Sequence, residues 1–99
     1  DQALYLASLV EAAPELELTA QPGLDIVCFR YLKQGLDTDQ LNALNKEILI
    51  QLQEGGVAAP SYTTLNGEYC LRVAISNHRS TFEDFDIMVA EILRIGRSL

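Results

Sequence analysis

Three stretches of the chain carry apolar residues at the spacing of an amphipathic helix. The first lies within residues 2–13 and is followed by Pro14, which cannot continue a helix. The three apolar stripes are Leu6, Leu9, Val10 and Ala13; then Leu41, Leu44, Ile48 and Leu52; and finally Phe85, Met88, Val89, Ile92 and Ile95.

The ends of the second and third helices carry capping signals. Asp37 is followed three residues later by Gln40, the spacing of a capping box, and Gly55-Gly56 closes this second helix. Ser80 and Thr81 precede the third stripe, and each is followed three residues later by an acid, which predicts a capped start there.

The remaining segments alternate between apolar and polar residues, as strands do. ELELTA (15–20) and LDIVCFRYL (24–32) flank Pro22-Gly23, a pair typical of a type II turn. VAAPSYTTL and EYCLRVAIS flank Asn66-Gly67, the strongest short signal for a β-hairpin. Pro60 indicates that the strand after it lies at a sheet edge or has a bulged entry.

The element order is therefore a helix followed by β-β-α-β-β-α. Two amphipathic helices can cover only one side of a four-stranded antiparallel sheet, so the pattern predicts an α+β two-layer sandwich. Residues 1–99 read as a single domain without an internal linker, and residues 1–13 form its leading helix.

The Asn-Gly turn fixes the register of the second hairpin. It sets Leu65 opposite Glu68, and Ser61 then falls opposite Arg72. The predicted core side carries Tyr62, Tyr69, Leu71, Val73 and Ile75. The other side carries Ala59, Ser61, Thr63, Cys70, Arg72, Ala74 and Ser76.

A two-residue turn predicts the same division in the first hairpin. Leu16 and Leu18 fall opposite Phe29 and Val27 on the core side. The other side carries Glu15, Glu17, Thr19, Ile26, Cys28 and Arg30. Both second strands thus read Cys-x-Arg, with each arginine on the side away from the helices.

Two interpretations of these arginines stay open. Arg30 and Arg72 can be solvated or paired with Glu15 and Glu17, as many exposed arginines are. Alternatively, Arg72 can hold an anion, because a guanidinium binds carboxylate or phosphate through two parallel hydrogen bonds. The small neighbours of Arg72 leave room for such a ligand.

Charge and composition exclude several functions. A net charge of −7 with seven scattered basic residues argues against nucleic-acid binding, and no apolar run is long enough for a membrane span. With one histidine and no Cys-x-x-Cys, a metal site has no support, so Cys28 and Cys70 are interpreted as small buried hydrophobic residues. Asp84 and Asp86 suit the positive end of a helix dipole, and His78 is expected in a solvated loop.

The chain resembles the C-terminal small domain of the group II pyridoxal-phosphate-dependent amino-acid decarboxylases. This family includes glutamate, cysteine-sulfinate, aromatic-amino-acid and diaminobutyrate decarboxylases. The resemblance lies in Leu71-Arg72 with Ile75-Ser76-Asn77, in Thr81-x-x-Asp84-x-Asp86, in Glu91-Ile92 with Ile95-Gly96, and upstream in Ile26–Arg30, Leu41, Asn45 and Gly55. It covers roughly residues 15–99 and is most specific between Arg72 and Asp86.

The resemblance implies a cytoplasmic, homodimeric enzyme in which pyridoxal 5′-phosphate (PLP) takes up the electrons released when an amino acid loses carbon dioxide. The lysine that holds the cofactor would lie in a large domain of the same chain. Lys33 and Lys46 do not follow a histidine, as that lysine normally does. The 99 residues alone are therefore expected to bind no cofactor, to contain no catalytic residue and to be inactive.

Arg72 is the residue that the resemblance marks as substrate-binding. It does not identify the substrate, because members acting on aromatic amino acids also keep an arginine here. Two alternatives remain: a small-molecule-binding regulatory module, for which Gly35 is close to the expected glycine loop, and a protein-interaction module that docks a partner on its uncovered sheet.

Overall fold

The computed structural model describes residues 2–20, 26–55, 60–74 and 82–99, and its elements follow the predicted order. The elements are α1 (Gln2–Ala12), β1 (Leu16–Leu18), β2 (Ile26–Tyr31), α2 (Thr38–Glu54), β3 (Ser61–Leu65), β4 (Glu68–Ala74) and α3 (Phe82–Ser98). No helix in these four segments has the length and apolar character to cross a membrane.

The four strands form one antiparallel sheet in the order β1-β2-β4-β3. The two hairpins therefore meet along β2 and β4, where Cys28 lies opposite Arg72. Pro60 directly precedes β3, which is an edge strand, in agreement with the sequence.

The second hairpin has the predicted register. Leu65 pairs with Glu68 and Ser61 pairs with Arg72. Asn66 and Gly67 have φ values of 53° and 79°, as the central positions of a type I′ turn require.

The predicted register of the first hairpin is wrong by two residues. Leu16 pairs with Tyr31 and Leu18 pairs with Phe29, instead of Phe29 and Val27. A type II Pro-Gly turn splays antiparallel strands and so sets register poorly, whereas the observed pairing places Glu17 opposite Arg30. The predicted turn falls in residues 21–25, outside the described residues. A shift of two residues leaves every side chain on its predicted face.

All three helices pack on one face of the sheet and share one core with it, so the predicted two-layer arrangement is confirmed. The buried apolar residues of this core are Ala3, Leu6, Val10, Leu16, Val27, Phe29, Tyr31, Ile48, Leu49, Leu52, Leu71, Val73, Phe85, Met88, Val89, Ile92 and Ile95. The predicted core residue Ile75 lies outside the described residues.

Tyr62 departs from the predicted core. It is 59% exposed, because β3 is the outermost strand and α2 packs over β4 and β2. Its ring instead stacks on the partly buried Tyr69, with the ring centroids 4.9 Å apart and the planes 4° from parallel. The two tyrosines thus act in hairpin packing.

Helix α2 begins as predicted and then makes contacts that its apolar stripe did not predict. The capping box of Asp37 and Gln40 is present in full, and Gly55 is the C-cap. Asn45 is fully buried; its Oδ1 accepts a hydrogen bond from Tyr31 N at 2.7 Å and its Nδ2 donates to Tyr31 O at 3.0 Å. Asn42 accepts from Tyr69 N at 2.8 Å.

These two amides complete the sheet where its ladder stops. The pairing of β2 with β4 ends at Phe29 and Leu71, two residues short of Tyr31 and Tyr69 on their strands. Backbone groups left there without partners would be costly to bury, and the amides of α2 satisfy them. The helix is thereby fixed to both central strands.

The other side of Tyr31 contacts α3. A Cβ placed on the buried Gly96 would lie 2.4 Å from the nearest carbon of the Tyr31 ring, so only glycine lets helix and ring approach this closely. The same burial raises the pKa of the Tyr31 hydroxyl above its ordinary value.

Replacing Asn45 should destabilise the fold more than replacing Asn42. Asn45→Ala leaves a buried N–H and a buried C=O of Tyr31 without partners, and we expect the free energy of unfolding to fall by about 3 kcal/mol. Asn42→Ala leaves groups without partners that are less deeply buried, so we expect the free energy of unfolding to fall by only about 1 kcal/mol. Urea denaturation measures both, and an equal or reversed ranking would contradict this account.

The contact of Gly96 with Tyr31 can be measured as a coupling. We expect Gly96→Ala to lower the free energy of unfolding by about 1–3 kcal/mol through overpacking. In a Tyr31→Leu background, where the ring is absent, the same change should cost much less. Equal losses in the two backgrounds would show that the ring is not the obstacle.

Candidate functional site

The face of the sheet opposite the helices, here called the open face, carries the candidate site. In β4 the buried Leu71 and Val73 flank Arg72, and strand alternation therefore directs the Arg72 side chain onto this face. Its described members are Glu17, Thr19, Ile26, Cys28, Arg30, Ser61, Thr63, Leu65, Glu68, Cys70, Arg72 and Ala74. Ala59 and Ser76, also predicted here, lie outside the described residues.

Arg30 is held by two acids on the open face. Its Nε donates to Glu17 Oε1 at 3.0 Å, and its terminal nitrogen lies 3.1 Å from Glu68 Oε2. Only 11% of its side chain is exposed. The pairing with Glu17 confirms the structural interpretation of Arg30, which ties β1, β2 and the start of β4 together.

The acids that pair with Arg30 differ in part from those predicted from the sequence. Glu15 precedes β1 and pairs with Arg97 of α3 instead, and that contact lowers the pKa of the Glu15 carboxyl. The second acid, Glu68, was not predicted as a partner of Arg30. Its face followed from the Asn-Gly turn, but its reach to Arg30 depends on β2 lying beside β4, which the sequence analysis did not derive.

Arg72 has different surroundings. Its register partners are Cys28 on β2 and Ser61 on β3, both small and uncharged. Its backbone carbonyl accepts a hydrogen bond from Ser61 Oγ at 3.3 Å. Arg72 is half-buried, and within the described segments its guanidinium forms no ion pair or side-chain hydrogen bond. Arg72 is thus the cation of this face whose bonding capacity the described residues leave open.

The two cysteines lie near Arg72 as free thiols. Cys70 is buried, as predicted, whereas Cys28 is only half-buried. Burial raises the pKa of the Cys28 thiol, nearby Cys70 raises it further, and the positive charge of Arg72 acts in the opposite direction. This influence means that the guanidinium and the thiol are close enough to interact electrostatically.

The lysines of the chain do not fit a covalently held PLP at this site. Lys33 donates from Nζ to the backbone oxygen of Leu99 at 2.8 Å, beyond the end of α3, and Lys46 is exposed on α2. Both therefore belong to the helical side of the domain. These are the only lysines in the sequence, so the open face has no amine for such a bond.

Two acids and one histidine were also considered from the sequence as possible functional residues. Asp84 lies in the first turn of α3, as expected, while Asp86 accepts a hydrogen bond from Tyr5 Oη at 2.6 Å and so joins α3 to α1. His78 lies outside the described residues. In the parts of the chain that are described, no three His, Cys, Asp or Glu residues cluster as metal ligands.

Curated relatives that match the sequence include two decarboxylases. Aromatic-L-amino-acid decarboxylase of Bacillus atrophaeus is 34% identical over 89 residues, which are 85% of this chain and 18% of the relative. Tyrosine decarboxylase 2 of Arabidopsis thaliana is 32% identical over 73 residues, or 74% of this chain and 13% of the relative. No family model matches the chain.

Solved structures match the fold along nearly the whole chain. The glutamate decarboxylase domain of a diaminobutyrate-pyruvate transaminase and L-2,4-diaminobutyrate decarboxylase from Vibrio parahaemolyticus has a TM-score of 0.86 and 28% identity, covering 99% of this chain and 20% of that one. Oryza sativa TDC with PLP and tryptamine has a TM-score of 0.90 at 19% identity, covering 98% and 21%, which shows a shared fold. The chain therefore spans about a fifth of these proteins or less.

The different surroundings of the two arginines predict different effects on stability. We expect Arg30→Gln to lower the free energy of unfolding by about 1 kcal/mol or more, because Glu17 and Glu68 lose their shared partner. Arg72→Gln should change it by less than about 0.5 kcal/mol. Chemical denaturation of both variants tests this, and a larger loss for Arg72 would identify it as a structural residue.

Proposed function

The chain belongs to the group II pyridoxal-phosphate-dependent amino-acid decarboxylases, and we propose that it forms the C-terminal small domain of such an enzyme. In this proposal the open face closes one side of the active-site cleft and Arg72 helps to position the substrate. The observation that carries the proposal is that Arg72 lies on the sheet face opposite the three helices, between small residues, in a chain that matches about a fifth of its relatives.

The burial on the open face supports a partner above it. A sheet face that only meets water carries mainly charged and polar side chains at its centre. Here the two central strands carry the buried Cys70 and the half-buried Cys28 between Arg30 and Arg72. Such a surface suits contact with further protein of the same chain, and a large PLP-binding domain is the partner that we propose.

The chemistry would come from outside these 99 residues. PLP supplies an electron sink for the electron pair that remains when the carboxylate departs. Because neither Lys33 nor Lys46 lies on the open face, the lysine that holds the cofactor belongs to the remainder of the enzyme in this proposal. The 99 residues on their own are then a binding wall without catalytic activity, and the complete enzyme is a cytoplasmic homodimer.

The physics of decarboxylation restricts what Arg72 can usefully bind. A guanidinium on the departing carboxylate would stabilise the ground state more than the transition state, in which the negative charge spreads away from that group. Arg72 is better used on a second, distal acidic group, such as those of glutamate or cysteine sulfinate. There it would orient the substrate equally throughout the reaction.

Carbon dioxide release from a set of amino acids tests the proposed function. The full-length protein with PLP should decarboxylate at least one acidic or aromatic amino acid, measured with glutamate, aspartate, cysteine sulfinate, tyrosine and tryptophan. Binding of an amino acid without release of carbon dioxide would instead favour the regulatory module. Turnover of aromatic substrates alone would mean that Arg72 has no distal acid to bind.

Replacing Arg72 should impair the full-length enzyme even when its charge is kept. Arg72→Lys loses the planar fork that binds a carboxylate through two hydrogen bonds, and we expect kcat/KM for an acidic substrate to fall about 10- to 100-fold. Arg94→Lys is the matched control, because Arg94 is exposed on α3 and pairs with Glu91. Its kcat/KM should change less than about twofold. Unchanged kinetics for Arg72→Lys would reduce this arginine to a scaffold residue.

A further inference from the structure

The two residues directly opposite Arg72 are small and uncharged. Cys28 and Ser61 are its Cα partners on the flanking strands. Directly opposed residues have Cβ atoms about 4.5–5.5 Å apart, so these side chains lie on either side of the base of the Arg72 side chain. Ser61 is exposed on the edge strand, whereas Cys28 is half-buried on a central strand.

Arg30 shows what a different neighbour does to an arginine on this face. The residue opposite Arg30 is Glu17, and its carboxylate together with that of Glu68 binds the Arg30 guanidinium. Arg30 and Arg72 share the same motif, Cys-x-Arg, and the same face. An acid opposite Arg72 would therefore bind its guanidinium in the same way.

We propose that Cys28 is a positioning residue for Arg72. The small uncharged side chain of Cys28 leaves the Arg72 guanidinium free to bind an acidic group of the ligand. This inference rests on the proposed function, because it takes Arg72 to be ligand-binding. A carboxylate at position 28 competes with the ligand for Arg72, and a long neutral side chain only takes up space. The residue at position 28 thus controls the affinity of the protein for an acidic ligand without taking part in the reaction.

Electrostatics at the thiol agree with this geometry. Burial has the largest effect on the pKa of the Cys28 thiol and Cys70 the next largest, and both raise it; the positive charge of Arg72 has a smaller effect and lowers it. The other charged groups on neighbouring strands of this face are Arg30, Glu17 and Glu68, and both acids pair with Arg30. Arg72 is therefore the cation whose charge reaches Cys28.

A charge-matched pair of variants in the full-length enzyme tests the inference. Cys28→Glu should raise the KM for the acidic substrate at least about tenfold above that of the isosteric Cys28→Gln, because only the carboxylate competes for Arg72. This excess should shrink as the pH falls and the introduced carboxylate becomes protonated. Cys28→Ser should keep the KM within about twofold of the parent value. Equal KM values for the Glu and Gln variants would overturn the inference.

The edge strand supplies a second pair in case the central strand does not tolerate a long side chain. Ser61 is exposed and is also a register partner of Arg72, so Ser61→Glu and Ser61→Gln can be accommodated. Ser61→Glu should raise the KM for the acidic substrate above that of Ser61→Gln, for the same reason. If the Glu and Gln variants have equal KM values at both positions, Cys28 and Ser61 do not position Arg72 and the inference is wrong.

Alkylation of the Cys28 thiol gives a readout that needs no activity. Iodoacetamide labelling of the intact protein, located at Cys28 by mass spectrometry, should have its pH midpoint at a higher value in Arg72→Gln, because the cation that favours the thiolate is gone. Arg94→Gln serves as the control and should leave the midpoint unchanged. An unshifted midpoint in Arg72→Gln, or a thiol that never reacts, would overturn the inference.

The two readouts separate this inference from the proposed function. A protein that releases carbon dioxide from no amino acid, yet shows the shifted midpoint, would refute the proposed function and retain the contact between Cys28 and Arg72. If the protein is an active decarboxylase but its KM and alkylation midpoint do not change with these substitutions, the proposed function stands and the positioning role of Cys28 is refuted.

Discussion

The hydrogen bonds between the buried Asn45 amide and the backbone of Tyr31 are the constraint on which the sheet geometry depends. They fix α2 to the end of β2, while Asn42 fixes the same helix to Tyr69 of β4. Because one rigid helix holds both central strands, their relative register is determined, and with it the position of Cys28 opposite Arg72. Gly96 packs against the Tyr31 ring, and this contact holds α3 at the same end of β2. The helical side of the sheet therefore determines how residues meet on the open face.

The two Cys-x-Arg motifs show how one local sequence takes two roles. Arg30 lies where a short edge strand and the start of β4 each bring a carboxylate within hydrogen-bond distance. Arg72 lies on the other central strand, where the opposing residues are a thiol and a hydroxyl. A guanidinium bound by two acids has little capacity left for a ligand, while one between small neutral residues keeps both its charge and its space. The distinction is made by the cross-strand neighbours, since the motifs themselves are the same.

The sequence was sufficient wherever a short-range rule decides the geometry. The Asn-Gly turn predicted the whole register of the second hairpin, and the Asp37 capping box predicted the start of α2. It failed where the rule is weak or the contact is distant. Pro22-Gly23 suited a turn that does not fix strand pairing, and the exposure of Tyr62 follows from its place on the outermost strand. The same limit applies to the site. Alternation along β4 is a local property and gave the face of Arg72, whereas Glu68, the second acid that binds Arg30, could be found only from the strand order.

In the proposed enzyme the active site is divided between two domains, and such a division has a physical advantage. A group that binds a cofactor covalently must be held rigidly against that cofactor, whereas a residue that selects a substrate need only meet its distal end. A sheet face provides such a contact well, because neighbours on three strands fix the base of each side chain and leave its tip projecting. In the proposed enzyme, small changes opposite Arg72 would alter which acidic group is accepted while the cofactor site stays unchanged. Selection and chemistry could then vary independently, which a single compact site would not permit.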